Sequence, residues 1–144
     1  MAEKNERPDL AACDRTFNVT TDKDVVRIRE YSRIVAEKIG FSANERTLIA
    51  TVVSEICRNI IEYAKTGQVI IQVLLQNSRI GILITAVDNG PGISNIDMAM
   101  KDGFSTGRGM GIGLPGSRRI MDDFEIESTP EYGTTVIMRK WLVQ

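Results

Sequence analysis

Apolar residues recur at helical spacing along two long stretches of the chain. In the first, Val25, Ile28, Ile34, Val35 and Ile39 follow Thr21-Asp22-Lys23-Asp24, an N-cap residue with a carboxylate three positions on. Gly40 ends that helix in the manner of a C-cap. Ser42-Ala43-Asn44-Glu45 is a second capping box, and the helix it opens is predicted to run to about Lys65, with Gly67 ending it. Leu48, Ile49, Val52, Val53, Ile56 and Ile60 supply its predicted buried stripe.

The remaining pattern is that of strands. Arg15–Thr20 reads as an edge strand. Gln68–Gln76 and Ile80–Asp88 are rich in Val and Ile, and Asn77-Ser78-Arg79 between them predicts an antiparallel hairpin. A helix over Ile112–Met121 precedes two closing strands, Phe124–Ser128 and Thr134–Leu142, joined by a Pro130–Gly133 turn. Residues 1–14 read as a flexible lead-in and 15–144 as a single domain. This order of elements predicts an α/β two-layer sandwich, with a mixed, mostly antiparallel sheet covered on one face by helices.

Composition narrows the chemistry. Of the 144 residues, 42% are apolar and 26% charged, an ordinary globular balance, and the net charge of −1 offers no basic field for nucleic acid or membrane. The start is polar, and no run of 18 apolar residues occurs, so a cytoplasmic location is expected. Cys13 and Cys57 have no metal spacing, and Cys57 falls within a helical pattern as a small buried hydrophobe. The absence of histidine removes Ser-His-Asp and Cys-His catalysis, histidine metal sites and a phosphohistidine intermediate. Chemistry is left to carboxylates, amides, backbone N–H groups or a bound cation.

Four features carry candidate chemistry. Glu55 and Asn59, four apart on the second helix, share a face. They are either boundary residues of the buried stripe or a pair in which Asn59 offers an oxygen to Mg²⁺ while Glu55 orients or deprotonates a nucleophile. Asp88-Asn89-Gly90-Pro91-Gly92 follows an apolar strand; it is either an ordinary turn or an adenine reader, the carboxylate accepting from the exocyclic amine and Gly90 and Gly92 exposing backbone to the base. Eight glycines fall within the 29 positions 88–116, and Gly107-Arg108-Gly109-Met110-Gly111-Ile112-Gly113 leads into a helix, where backbone N–H groups and the dipole favour phosphate. It lacks the Lys-Ser/Thr of a GxxxxGK[ST] loop and does not follow a strand as a dinucleotide fingerprint does. Gly133-Thr134-Thr135 opens the last strand, with Thr134 a hydrogen-bond partner for Asp88 or for a water on adenine.

Taken in this order, the motifs resemble the Bergerat (GHKL) ATP-binding fold of gyrase B, MutL and the histidine kinases. With no histidine to accept phosphate, the chain resembles instead the anti-sigma-factor serine/threonine kinases, and among those the switch kinases of the stressosome. Ser54–Ile60, Asp88–Ile93, Asp102–Thr106, Gly113–Gly116 and Lys140-Trp141-Leu142 carry this likeness over nearly the whole chain. It departs at Arg108-Gly109-Met110, in a lid that varies among relatives.

The resemblance implies an ATP- and Mg²⁺-dependent kinase that phosphorylates Ser or Thr on STAS-domain scaffold proteins and, once released, activates a PP2C-type phosphatase. It implies Glu55 as candidate base, Asn59 as Mg²⁺ ligand, Asp88 with Gly90 and Gly92 as the adenine pocket, Gly107, Gly109, Gly111 and Gly113 along the phosphates, and Thr134 supporting the adenine. Other classes stay open beside it: a nucleotide-gated binding module, an anti-sigma factor released by its own kinase activity, and, least favoured, a stand-alone ATP hydrolase. The oligomeric state is left open.

Overall fold

A computed structural model of the chain describes residues 10–91, 100 and 113–143. A 3-10 turn, Leu10–Cys13, leads into β1 (Arg15–Val19), α1 (Asp22–Ile39), α2 (Ala43–Ala64), β2 (Gly67–Gln76), β3 (Arg79–Asp88), α3 (Gly113–Ile120), β4 (Asp123–Thr129) and β5 (Gly133–Trp141).

Both long helices start where capping chemistry puts them. The Asp24 carboxylate accepts from the Thr20 and Thr21 N–H groups at 2.8 and 3.0 Å. Ser42 Oγ accepts from Glu45 N–H at 3.2 Å while Glu45 Oε1 accepts from Ser42 N–H at 3.1 Å, satisfying donors the helix leaves unpaired. Gly40, at φ 115°, closes α1 with its N–H on the carbonyls of Ala36 and Glu37. α2 ends at Lys65, which takes φ 74°, so the chain turns there and Gly67 is already the first residue of β2.

Two predicted stripe residues face water instead. Ile34 and Leu48 are 49% and 42% exposed. The α1 face runs Val25, Ile28, Ser32, Val35, Ile39, and Ile34 lies roughly 100° round from Val35. Leu48 similarly sits roughly 100° from the centre of the Ile49–Val53–Ile56–Ile60 stripe.

Among the described residues the sheet has the order β1-β2-β3-β5-β4 and every pairing is antiparallel, so the two-layer α/β expectation holds while the expected mixed sheet is instead wholly antiparallel. Asn77 and Ser78 both take positive φ, the left-handed two-residue turn whose twist suits a hairpin. Val69 and Ile71, Ile82, Ile84 and Ala86, and Val136 and Met138 alternate onto one face and meet the helices there. The core lies in that layer.

α2 packs against α1, α3 and the strands β1, β2 and β3. As a result Val52, Val53, Ser54, Glu55, Ile56 and Cys57 are all buried, six consecutive residues that sweep roughly 500° around the axis. The middle of α2 is therefore covered on every side. Among the described residues, no helix is long and apolar enough to cross a membrane.

Candidate functional site

The buried middle of α2 carries the first candidate. Glu55 is 6% exposed, and its nearest cation is Arg58, with Nη1 3.9 Å from Oε1. A carboxylate taken out of water for so loose an ion pair stabilises nothing, and such a group points to function. Asn59 lies one turn further along the same flank and is half-buried. Its amide oxygen is a hard donor of the kind magnesium accepts.

Asp88 is the last residue of β3, half-buried, and its Oδ1 accepts from Gly90 N–H at 2.9 Å. This Asx-type bond pins the carboxylate over the turn that follows. The turn is pressed against α2: a Cβ on Gly90 would lie 2.6 Å from Ala64 Cβ and 2.8 Å from Ala64 Cα. Gly90 thus draws the end of β3 onto the last turn of the helix that bears Glu55 and Asn59, five residues and about 7.5 Å along the axis from Asn59.

On the other side, Thr134 is the register partner of Asp88 in β5, and it is buried. Its hydroxyl is 2.7 Å from Ser128 Oγ on β4, so the side chain is engaged there rather than on the Asp88 carboxylate. Sequence reasoning missed Ser128, because only the register of β4 on β5 reveals it. It read Gly133 as the end of a turn and the opening of the last strand, with no contact to Asp88. In the structure Gly133 takes φ 92°, and a Cβ there would sit 2.0 Å from the Asp88 carbonyl oxygen. The Gly133–Asp88 approach is one that any side chain would block.

Gly113 opens α3 at φ 67° and its carbonyl accepts from Ser117 Oγ at 3.1 Å. Lys140 Nζ donates to the Ile120 carbonyl at 3.1 Å, capping the other end, where a cation suits the helix dipole. Gly92, Gly107, Gly109 and Gly111 lie outside the described residues. The structure therefore brings Asp88, Gly90 and Thr134 together at one end of the sheet, with Glu55 and Asn59 on the helix against it.

That arrangement has counterparts among known proteins. Residues 44–144 match the family described as histidine kinase-, DNA gyrase B- and HSP90-like ATPases. The chain belongs to this ATPase family. The serine/threonine-protein kinase RsbT of Bacillus subtilis is 42% identical over 124 residues, 86% of this chain and 93% of that protein. The anti-sigma F factor of Caldanaerobacter subterraneus subsp. tengcongensis is 35% identical over 100 residues, 65% of this chain and 68% of that protein. Among solved structures, the Pseudomonas aeruginosa SiaB–SiaC complex contains a chain that superposes with a TM-score of 0.53 at 14% identity, covering 89% of each chain. The mycobacterial sensor histidine kinase MprB gives 0.53 at 12% identity, covering 88% of this chain and 96% of that one. At such identities the two structures share the fold alone.

Membership of the ATPase family makes this an ATP-binding domain and accounts for a sandwich whose motifs gather at the end of the sheet.

Proposed function

We propose that the chain transfers the γ-phosphoryl group of ATP to a serine or threonine of a STAS-domain regulatory protein, and that after release it activates a PP2C-type phosphatase in a cytoplasmic stress-signalling partner switch. The chain is a serine/threonine-protein kinase, as is RsbT, its relative over most of both lengths. The observation that carries the reading is the buried Glu55 one turn from Asn59, on the helix whose last turn is pressed against the Gly90 turn that follows Asp88.

In this reading the Asp88 carboxylate, held by Gly90 N–H through Oδ1, uses Oδ2 to accept from the adenine amine. Gly90 and Gly92 leave room for the base, and Thr134 with Ser128 supports it from the neighbouring strands. The backbone of Gly107, Gly109, Gly111 and Gly113 and the N-terminus of α3 take the phosphates. Mg²⁺ bound to the Asn59 oxygen would neutralise charge on the phosphate oxygens. The acceptor hydroxyl oxygen bonds to Pγ, the bond from Pγ to the ADP oxygen breaks, and the hydroxyl proton passes to Glu55. In a loose transition state that proton leaves late, so orientation of the hydroxyl is a large part of what Glu55 contributes.

The test is incubation with Mg²⁺, γ-labelled ATP and a STAS-domain acceptor, beside Glu55→Ala and Asn59→Ala. Label on an acceptor Ser or Thr, reduced 100-fold or more in both variants, is expected. ATP binding with no transfer would leave a nucleotide-gated binding module.

The likeness to an anti-sigma F factor favours a second reading, sequestration of a sigma subunit with phosphorylation as the release step. Retention of a sigma subunit rather than a STAS protein on the immobilised chain would select it.

A further inference from the structure

α3 is short. Its eight residues span about 12 Å, too few for a helix to persist in water by itself, so its place is set by what holds it. Its first half, Leu114 to Ser117, is buried, and α2 is the helix it packs on. Its end is held by other means, through the last residues of β5.

Lys140 Nζ donates to the Ile120 carbonyl at 3.1 Å. Asp122 N–H donates to the Arg139 carbonyl at 2.9 Å, and Trp141 N–H donates back to Asp122 Oδ2 at 2.7 Å. The Trp141 indole N–H reaches Asp123 Oδ2 at 3.3 Å. Consecutive residues of one strand thus grip the junction, 120–123, through which α3 passes into β4.

The grip is anchored on the sheet side. Trp141 is buried, and the Arg79 guanidinium at the start of β3 lies 4.0 Å from the centre of its ring, a favourable cation–π contact. Gly81 lets the indole lie close on β3, since a Cβ there would come within 2.9 Å of Trp141 Cε3. Just beyond, Leu142 N–H donates to the Ile80 carbonyl at 2.9 Å.

The same strand reaches the candidate site. Thr134, opposite Asp88, stands seven residues before Trp141 on β5, about 23 Å along the strand. One element, β5, therefore carries the support for adenine. Another, α3, offers its N-terminus to the phosphates in the function proposed above. The clamp at Lys140 and Trp141 joins the two directly.

We propose that Lys140 is a positioning residue for phosphate binding: together with the Asp122–Trp141 bond it fixes the N-terminus of α3 relative to the adenine end of β5. What α3 binds rests on the function proposed above. The clamp stands on the geometry.

The experiment measures the affinity of the full chain for Mg-ATP and for adenosine by calorimetry. Lys140→Met keeps the apolar stem of the side chain and removes its ammonium group. It is expected to weaken ATP binding about fivefold or more, the scale of one net hydrogen bond, while adenosine stays within twofold. Unaltered adenosine affinity certifies that the variant is folded. Lys140→Arg, which can still donate to the Ile120 carbonyl, is expected to restore ATP affinity in part. Asp122→Ala is expected to act in the same direction as Lys140→Met, and the double variant to lose less than the product of the single losses, because both release one junction. ATP affinity within twofold of the unaltered chain in Lys140→Met overturns the proposal. Equal losses for ATP and adenosine overturn it too, by reducing Lys140 to a contact that serves stability alone. Losses that multiply in full would make the two contacts independent and overturn the clamp. An unaltered chain that binds ATP no more tightly than adenosine would sink the phosphate role of α3 itself, and the positioning role with it.

Discussion

Gly133 lies against Asp88 so closely that a Cβ on the glycine would come within 2.0 Å of the aspartate's carbonyl oxygen, and its φ of 92° belongs to the left-handed region. Gly133→Ala is therefore expected to destabilise the domain by about 2–4 kcal/mol, the sum of a strained backbone and a contact that must open. At about 3 °C per kcal/mol for a domain of this size, Tm should fall roughly 10 °C, with ATP affinity falling alongside. Gly40 is the control. Its φ is also positive, at 115°, but a Cβ would meet only Leu142 Cδ2, at an ordinary 3.5 Å. Gly40→Ala should cost about 1 kcal/mol and leave nucleotide binding alone. Equal Tm values for the Gly133 variant and the unaltered chain would remove the close approach from the account.

Asp88→Asn separates the turn from the base. The asparagine carbonyl oxygen can still accept from Gly90 N–H, so the turn should persist and thermal stability should change little. The atom offered to adenine becomes a donor facing a donor. Loss of a charge-assisted hydrogen bond costs about 1.5–3 kcal/mol, so ATP affinity measured by calorimetry should drop about 10- to 150-fold. A folded variant with unaltered affinity would disqualify Asp88 as the adenine reader.

Burial pushes the Cys57 thiol up to about 12, because the thiolate has no water around it. At pH 8 an alkylating reagent should leave it untouched in the native protein, and labelling should follow denaturant in step with global unfolding. Modification of Cys57 within minutes under native conditions would mean that the middle of α2 opens locally.

The Thr21 N–H foremost, then that of Thr20, hold the Asp24 carboxyl below its usual value, with Arg27 assisting. A folded-state pKa below the unfolded one, about 3.9, contributes stability that is present above that pH and is lost as pH falls through the folded value. Asp24→Asn should be less stable than the unaltered chain at pH 7, by about 1 kcal/mol or less for a cap near the surface, and the two should converge as the pH falls through the folded value. Parallel stability curves down to pH 2 would contradict this role.

The helices were legible because their signals are local. Thr21 with Asp24, and Ser42 with Glu45, lie within one turn of each other in sequence and in space. Ile34 and Leu48 show the limit of that reading. Periodicity identifies a helix, but the centre of its buried face depends on which neighbours pack there, and these lie elsewhere in the chain. The site divides in the same way. Glu55, Asn59, Asp88 and Thr134 stand out by residue type and spacing. The contact of Thr134 with Ser128 depends on the register of the β4–β5 hairpin, and that of Gly133 with Asp88 on β5 pairing with β3, which skips the whole of 89–132. No local pattern encodes it.

One cross-strand row passes through all five strands at the end of the sheet where β3 closes: Val19 opposite Gly67, Gly67 opposite Asp88, Asp88 opposite Thr134, and Thr134 opposite Ser128. A one-residue slip in any strand turns its side chains to the other face and breaks this row. The proposed nucleotide site is thus a reading of the register of the entire sheet. A misfolded copy of such a protein loses its substrate along with its shape, so errors of folding yield silent molecules rather than kinases with altered aim. By the same linkage, cellular ATP selects the correctly paired chain and holds it folded.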